Sequence, residues 1–412
     1  MYNSIKKILL SEISLYQKLS KDLQKLTISY YLYAMAYTLF FIFTNAYLWR
    51  NGQNLYSLFI YNFLYCIGLP LGFYLNGLLL RKIQTAPLYW LGCLLEGIMA
   101  VCIVVFPSIN SNVLAIYGFF AGIGSGIFWA NKNYIELILS KGDSRVYYVG
   151  LVSAGEMIIN IFTPFLAGSF IAFASIYGLE TLNLSYKALM LVGLVLVAVS
   201  GYILQGINVQ GNGHEELIVQ KPTKKWKMVR IYNILSNIAA GAEFVIPSVL
   251  VLVLVGKEGT LGLVNSSTAL FSAICVYLVG RKGASREVWK MASLGRILSI
   301  FGGLILALYF GPAAVLLYIG AFTIAYALYG PLSYPVVMGI MDEEDKGKSK
   351  YAFICDSELS YNFGRCLGLA LIPIVALLDQ TAALRFIPLI VGLISIFSIV
   401  PFRYLNKFVH VK

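Results

Sequence analysis

A chain of 412 residues with 59% apolar and only 12% charged side chains is too apolar for a soluble domain, since soluble domains carry roughly 25% charged residues. Its net charge of +12 does not indicate a nucleic-acid partner, because the cations lie in short joints between long apolar runs and not in one patch. Composition therefore indicates that the chain's main partner is a lipid bilayer.

The chain begins with a basic amphipathic pattern over residues 1–27, in which apolar positions recur at helical spacing between lysines. This pattern predicts a helix that lies on the cytoplasmic membrane surface as an anchor. The segment lacks the compact apolar core and the cleavage site of a signal peptide.

Twelve long apolar segments follow, and each is long enough to cross a bilayer, which takes roughly 20 residues of helix. The polar breaks between them carry turn-forming residues such as Asn51-Gly52 and Gly311-Pro312. We place the spans at 28–48, 55–80, 86–106, 112–139, 146–176, 187–207, 230–255, 259–279, 288–309, 313–341, 348–378 and 382–403.

The domain organisation follows from these spans and from the charges between them. We predict a six-helix bundle at 28–207, a cytoplasmic connector at 208–229, a second six-helix bundle at 230–405 and a cytoplasmic tail at 406–412. Of the 31 lysines and arginines, only four lie in joints on the side opposite the connector: Arg50, Lys187, Lys257 and Arg385. The positive-inside rule then places both termini in the cytoplasm of a multi-pass protein of the inner or plasma membrane.

The two halves repeat a local pattern. The fifth span follows Lys141-Gly142-Asp143-Ser144-Arg145, and the eleventh follows Lys346-Gly347-Lys348-Ser349-Lys350. Each span then carries a glutamate and, four residues later, an asparagine: Glu156 with Asn160, and Glu358 with Asn362. Internal repeats of this kind are typical of transporters whose binding site lies between the halves.

With this layout the chain resembles the major facilitator superfamily over its whole length. The loop after the second span, Gly72 to Lys82, keeps part of the family's G-x-L-x-D-[RK]-x-G-[RK]-[RK] motif, with Asn76 where the family has aspartate. The glycine series Gly118, Gly122, Gly124 and Gly126 is also present. The resemblance implies an all-α membrane fold of two pseudo-symmetric six-helix bundles and transport of a solute by alternating access.

Charged residues inside the spans are the candidates for chemistry, because a charge at bilayer depth needs a partner or a water-filled path. In the first half, Lys132 and Glu156 lie deep in adjacent spans. They suit a solute carboxylate and a proton, or else form a structural pair, or Lys132 pairs with Glu136 one turn away. Asn131 and Asn160 are the polar neighbours that we add to this group.

In the second half, spacings of four and three place Glu358, Asn362 and Arg365 on one face of the eleventh span. We expect this stripe to face a central cavity, with an internal Glu358–Arg365 bridge as the alternative. Further candidates are Asp356 in the same span and Glu243, which precedes Pro247 in a span that the proline should kink.

The remaining expectations concern function. Asn45, Trp129 and Tyr334 are candidates for cavity lining, whereas Glu96 and Arg296 in the third and ninth spans are expected to be structural. The six cysteines have no metal-ligand spacing, and the chain has no P-loop and no membrane histidine, so we expect no metal, no cofactor and no enzymatic activity.

We therefore interpret the chain as a monomeric secondary transporter of a small anionic, zwitterionic or amphipathic solute, coupled to protons through Glu156, Glu358 or Glu243. Import and export are both compatible with the sequence. The alternatives are a lipid or amphiphile flippase of the same fold and a non-transporting membrane receptor or scaffold.

Overall fold

The computed structural model of the protein describes residues 14–108, 110–140, 143–207, 209, 216–282, 288–344 and 350–408. Within these ranges twelve helices are long and apolar enough to cross a bilayer. Their bounds are α1 Lys21–Gly52, α2 Leu55–Leu79, α3 Thr85–Val105, α4 Ser111–Leu139, α5 Asp143–Ser175, α6 Leu179–Ile203, α7 Lys224–Val255, α8 Glu258–Lys282, α9 Val288–Leu308, α10 Pro312–Glu344, α11 Lys350–Ala376 and α12 Gln380–Asn406.

Short polar side chains set where several helices begin. Ser20 accepts the Leu23 amide at 3.3 Å, and Asn54 accepts the Tyr56 amide at 2.8 Å, which satisfies amides that have no partner inside the helix. Because Ser20 caps α1, residues 21–27 belong to the first span and not to the predicted surface helix. Of that surface helix, 14–18 are helical and 1–13 lie outside the described residues.

The helices form two bundles with the same internal pairings. In the first bundle α1 packs on α5 and α6, α2 on α4, α3 on α4, and α3 on α6; in the second the corresponding pairs are α7 with α11 and α12, α8 with α10, α9 with α10, and α9 with α12. The bundles meet along two seams, α2 with α11 and α5 with α8. Each helix of the first bundle has a counterpart six helices later in the second. Replacing α2 by α8 and α11 by α5 converts one seam into the other. The architecture is therefore pseudo-symmetric.

Glycines allow a close contact between the backbones of α2 and α4. Gly118, Gly122 and Gly126 recur at four-residue spacing on α4, where a Cβ atom would lie 2.1–2.2 Å from backbone carbonyl oxygens of α2. Only a residue without a side chain permits backbones to approach so closely. Three of the four glycines in the series therefore form the face of α4 that packs on α2, whereas Gly124 packs on α3.

Replacing Gly122 by alanine is expected to destabilise the first bundle, because its Cβ would overlap the Tyr65 carbonyl oxygen at 2.2 Å. Overpacking of this kind costs about 1–3 kcal/mol. Thermal melting of the purified protein in detergent measures the loss. Gly150→Ala is the matched control, since nothing lies within 4 Å of a Cβ at that position; equal melting of the two variants would contradict the prediction.

The two bundles are bridged near both ends of the molecule. Where α2 ends and α11 begins, the Tyr351 hydroxyl donates to the Phe73 carbonyl at 2.8 Å and the Asn76 amide donates to Tyr351 at 3.1 Å. We call the end that holds the connector between α6 and α7 the connector end and the opposite end the far end. At the far end Arg50 of α1 forms an ion pair with Glu258 of α8, and the Tyr186 hydroxyl donates to the same carboxylate at 3.1 Å. The α5–α8 seam is also tight there, because a Cβ at Gly168 would lie 2.9 Å from the Cα of Gly262. The far end is closed across the bundles.

Candidate functional site

A cavity of 640 Å³ lies between the two bundles. It reaches Glu136, about one turn from the connector end of α4, so it extends toward the connector end and stops below the closed far end. Both bundles supply its wall. The charged lining residues are Lys132, Glu136 and Glu156 from the first bundle and Glu358 and Arg365 from the second.

On the first-bundle wall, Lys132 pairs with the carboxylate one helical turn away. Its Nζ lies 2.6 Å from Glu136 Oε2 and 4.8 Å from the centre of the Tyr30 ring. Glu156 on α5 interacts with both Lys132 and the Tyr30 hydroxyl. Of the alternatives that the sequence left open, the structure therefore has the Lys132–Glu136 pair, with Glu156 as a second carboxylate facing the same cation.

On the second-bundle wall, Asn362 lies between the two charged members of the predicted stripe. The Asn362 amide donates to the Glu358 backbone carbonyl at 2.9 Å and to its carboxylate at 3.3 Å, and Arg365 Nη1 donates to Asn362 Oδ1 at 3.1 Å. No ion pair joins Glu358 and Arg365 within 4.0 Å in the described part of the chain. Arg365 Nε is buried without a hydrogen-bond partner. Arg365 thus keeps donors for a ligand.

The break predicted near Pro247 is present in α7. The helix stops at Glu243, restarts at Ile246 and continues as π-helix over Val251–Val255. Proline cannot donate a backbone hydrogen bond, so the ladder is interrupted at this point. Asn45 of α1 donates to the Phe244 carbonyl at 3.2 Å, and Phe244 lines the central cavity. A helix break in one bundle is therefore held by a side chain of the other.

Six of the predicted site residues do not line the central cavity: Asn45, Asn131, Asn160, Glu243, Asp356 and Asn362. Three of these six belong to contacts away from the cavity wall. Asn131 is fully buried and donates to Asn76 Oδ1 at 2.6 Å, within the α2–α4 packing face. Glu243 faces Arg296, which is itself 2% exposed and lies 3.8 Å from the centre of the Tyr329 ring. These contacts are within a bundle. Asp356 is the third.

Asp356 binds the start of α7. Its carboxylate accepts from Arg230 Nε at 2.7 Å, from Arg230 Nη2 at 2.6 Å and from the Trp226 indole at 2.5 Å, and it is 2% exposed. Arg230 Nη2 also donates to the Val219 carbonyl of the connector at 2.7 Å. This carboxylate therefore ties α11, α7 and the connector together.

Two smaller cavities adjoin the central one. A 140 Å³ cavity beside Glu156 and Asn160 shares Tyr30, Tyr37 and Trp129 with it. A 270 Å³ cavity lies between α5 and α8 and shares Tyr326 with it. The polar residues of this second, side cavity are Thr38, Asn160, Asn265, Thr268, Ser272 and Thr323. Thr38 donates to Asn160 at 3.1 Å, so Asn160 lies where the two smaller cavities meet.

Aromatic side chains form much of the wall and were missed by sequence reasoning, except for Trp129 and Tyr334. Trp129 packs edge-on against Tyr30, Tyr33 and Tyr37 at 6.0–6.5 Å between ring centres. In a chain with 14% aromatic residues no spacing singles these out. The Arg50–Glu258 pair was also missed, although both residues fall at predicted joints on the same side.

In the part of the chain that the structure describes, no three histidine, cysteine or acidic residues are grouped so as to hold a metal ion. The repeated Lys-Gly motifs before α5 and α11 fall largely on 141–142 and 345–349, which lie outside the described residues. His214 and His410 lie outside them as well.

Comparison with known proteins gives relatives but no family model that matches. The uncharacterized protein YqgE of Bacillus subtilis (strain 168) is 25% identical over 379 residues, which are 89% of this chain and 84% of that protein. An uncharacterized protein in the sodM 3' region of Geobacillus stearothermophilus is 24% identical over 156 residues, covering 38% of this chain and 73% of that protein.

Solved structures resemble the chain over nearly its whole length. A POT family transporter in complex with a thioalcohol-conjugated peptide has a TM-score of 0.70 and 12% identity, with 95% of this chain and 99% of that chain covered. A bacterial homologue of the iron transporter ferroportin in an inward-facing state gives 0.65 and 15%, covering 94% and 99%, and the nucleoside transporter NupG gives 0.64 and 13%, covering 95% and 100%. These similarities confirm the predicted fold: this is a multi-pass membrane protein with the major facilitator architecture.

Proposed function

Starting from the major facilitator fold, we propose that the protein is a secondary transporter that moves a small solute by alternating access. The observation that carries the proposal is the central cavity, because it holds charges of both signs at bilayer depth and receives them from both bundles. Charge buried in a membrane protein marks a binding site or an ion path. A site shared by two bundles opens to one side at a time when the bundles rock.

The solute class follows from the charges that remain available. Lys132 is balanced by Glu136 at 2.6 Å, whereas among the described residues no carboxylate lies within 4.0 Å of the Arg365 guanidinium, which donates to the Asn362 amide oxygen and lies near the Phe244 ring. A guanidinium group binds a carboxylate or phosphate through two parallel hydrogen bonds. Glu156 and Glu358 would complement an amine on the same solute. We therefore propose an anionic or zwitterionic solute whose anionic group binds Arg365.

Topology and coupling complete the proposal. The positive-inside rule places the connector end in the cytoplasm, so the cavity that extends toward that end corresponds to a cytoplasm-facing state of a monomer. Closure of the far end by Arg50 and Glu258 is the contact that must open in the opposite state. We propose protons as the coupling ion and no enzymatic activity.

The experiment uses the purified full-length protein. Its thermal melting is measured against a panel of metabolites, drugs, siderophores and amphiphiles, and any solute that raises the melting temperature is offered to proteoliposomes. We expect saturable flux that an imposed pH gradient drives, and no such flux in protein-free liposomes. A solute that stabilises the protein but never crosses the membrane would contradict transport and favour the receptor alternative.

The side cavity between α5 and α8 favours a second candidate, a flippase for amphiphiles. Its wall combines uncharged polar residues with apolar ones, and the close glycine contacts between α5 and α8 lie toward the far end, at Pro164, Gly168, Gly259 and Gly262. A solute with an apolar tail would enter between these helices at the other half of the seam. Scrambling of a fluorescent lipid by proteoliposomes, without uptake of water-soluble solutes, would select this candidate.

A further inference from the structure

A buried carboxylate in α3 lies behind the central cavity and has no role in the function proposed so far. Glu96 is 4% exposed. The Tyr33 hydroxyl donates to its Oε2 at 2.7 Å, and the Tyr65 hydroxyl donates to its Oε1 at 3.2 Å. Ser125 of α4 lies beside Glu96 and forms a hydrogen bond with the same Tyr65 hydroxyl at 2.8 Å. These polar neighbours of Glu96 come from three other helices and all of them are neutral.

Its surroundings contain no compensating cation among the described residues that interact with it. The titratable groups that face it are Tyr33 and Tyr37 of α1, Tyr61 and Tyr65 of α2, and Cys93 of α3. From α6, the side chains of Leu194 and Val197 pack at the neighbouring Gly97 and are apolar.

Six other acids that line the central cavity or lie between packed helices differ from Glu96 because each interacts with a cation. The pairs are Glu136 and Glu156 with Lys132, Glu243 with Arg296, Glu258 with Arg50, Asp356 with Arg230, and Glu358 with Arg365. A carboxylate held by cations serves as their counter-charge. Glu96 has no cation to balance. Its charged form is therefore stabilised by hydroxyl donors alone, and its other stable form is the neutral acid with a bound proton.

A small cavity connects Glu96 with the central one. Its volume of 20 Å³ is sufficient for one water molecule, which needs roughly 10–15 Å³ and two or more polar partners. Asn45, Asn62, Tyr61 and Glu96 supply polar atoms to its wall. Tyr37 and Tyr65 line both this cavity and the central one, and the Tyr65 hydroxyl donates to Glu96 at 3.2 Å. The Tyr65 hydroxyl therefore lies between Glu96 and the central cavity.

We propose that Glu96 is the proton-binding site through which the pH gradient drives transport, an inference that rests on the proposed function. The proton enters from the central cavity through Tyr65, which gives its hydroxyl proton to a Glu96 carboxylate oxygen and takes one proton from the cavity side, so that Tyr65 ends with one proton and Glu96 gains one. The neutral acid accepts fewer hydrogen bonds than the anion, which releases Tyr33 or Tyr65 to turn. Tyr33 stacks on Phe128 at 3.4 Å, and Phe128 packs against Trp129 in the cavity wall. A change in the position of Tyr33 on protonation of Glu96 is thereby transmitted to the solute site through these packed rings.

Infrared difference spectroscopy tests proton binding without a known solute, using the full-length protein in liposomes at acid and alkaline pH. We expect a carboxylic-acid carbonyl band that titrates in the wild type, is lost in Glu96→Gln and remains in the matched control Glu156→Gln. Tyr33→Phe keeps the glutamate but removes a donor to its anion, so the band should persist to higher pH. Thermal melting establishes that each variant is folded.

A band that remains in folded Glu96→Gln, or its absence from the wild type, would overturn the proposal while leaving transport itself intact. A flux measurement distinguishes failure of the proton-site proposal from failure of the transport proposal. With a solute identified by the melting screen, Glu96→Gln should still exchange solute at equal concentrations on both sides. Its accumulation ratio under a pH gradient should fall to about one. Loss of exchange as well, in a folded variant, would contradict a coupling role.

Discussion

Replacing Arg365 by glutamine is expected to weaken solute binding by about 10- to 150-fold, the largest effect on affinity of any single change in the cavity wall. Arg365 Nη1 donates to Asn362, and its buried Nε has no partner in the described residues. Hydrogen bonds to a charged group contribute about 1.5–3 kcal/mol, and each 1.4 kcal/mol is a factor of ten in affinity. Titration calorimetry with a solute from the melting screen measures the loss.

Two further variants separate the guanidinium fork from its charge. Arg365→Lys keeps the charge but loses the two-pronged geometry, so its affinity should lie between those of the wild type and Arg365→Gln. Arg385→Gln removes an equal charge outside the cavity, where Arg385 donates to the Ala307 carbonyl at 2.6 Å, and should bind normally. Wild-type affinity in Arg365→Gln would refute the anionic contact that we propose.

Much of the fold was predictable because bilayer thickness fixes the length of an apolar run. All twelve predicted spans correspond to helices of the structure, and the break in α7 was expected from Pro247. The start of α1 was not, because residues 21–27 satisfy an amphipathic surface pattern and a buried helix equally well. Leu23 and Leu26 are 2% and 0% exposed, so packing against other helices decided between the two.

Within one helix, spacing predicted which side chains would lie together. Glu358, Asn362 and Arg365 form the expected stripe because positions three and four apart share a face. Partners on other helices were beyond this reasoning, since they depend on how each helix is rotated in the bundle. Sequence reasoning grouped Asp356 with Glu358, although two residues correspond to about 200° around an α-helix. Asp356 accordingly binds Arg230, away from the cavity.

Glu96 is a second residue whose partners on other helices could not be predicted from spacing along its own helix. A single acid in the third span is expected to be structural, because that span is peripheral in the fold that the chain resembles. A lone carboxylate carries no sequence signal that distinguishes an ion pair from a proton site. The distinction lies in its neighbours, and those neighbours are tyrosines of α1 and α2. Tyrosines at these positions look like every other tyrosine in the chain.

The different roles of Asp356 and Glu358 lead to the second large effect. Asp356→Ala should lower the free energy of unfolding by about 3 kcal/mol, because it leaves the Arg230 guanidinium without its carboxylate. Removing one member of a buried ion pair costs about 3–5 kcal/mol. The Arg230 side chain is 30% exposed, which places the cost at the lower end of that range. Thermal melting in detergent measures this loss.

Glu358→Gln is the matched control, two residues away in the same helix. It keeps the size of a side chain that has no ion pair within 4.0 Å in the described residues, so its melting temperature should fall far less, while its affinity for an amine-bearing solute should fall. Folded Asp356→Ala at low temperature should bind that solute as the wild type does, because Asp356 does not line the cavity. Equal melting of the two variants, with binding lost only in Asp356→Ala, would reverse the roles and place the solute site at the α7–α11 contact.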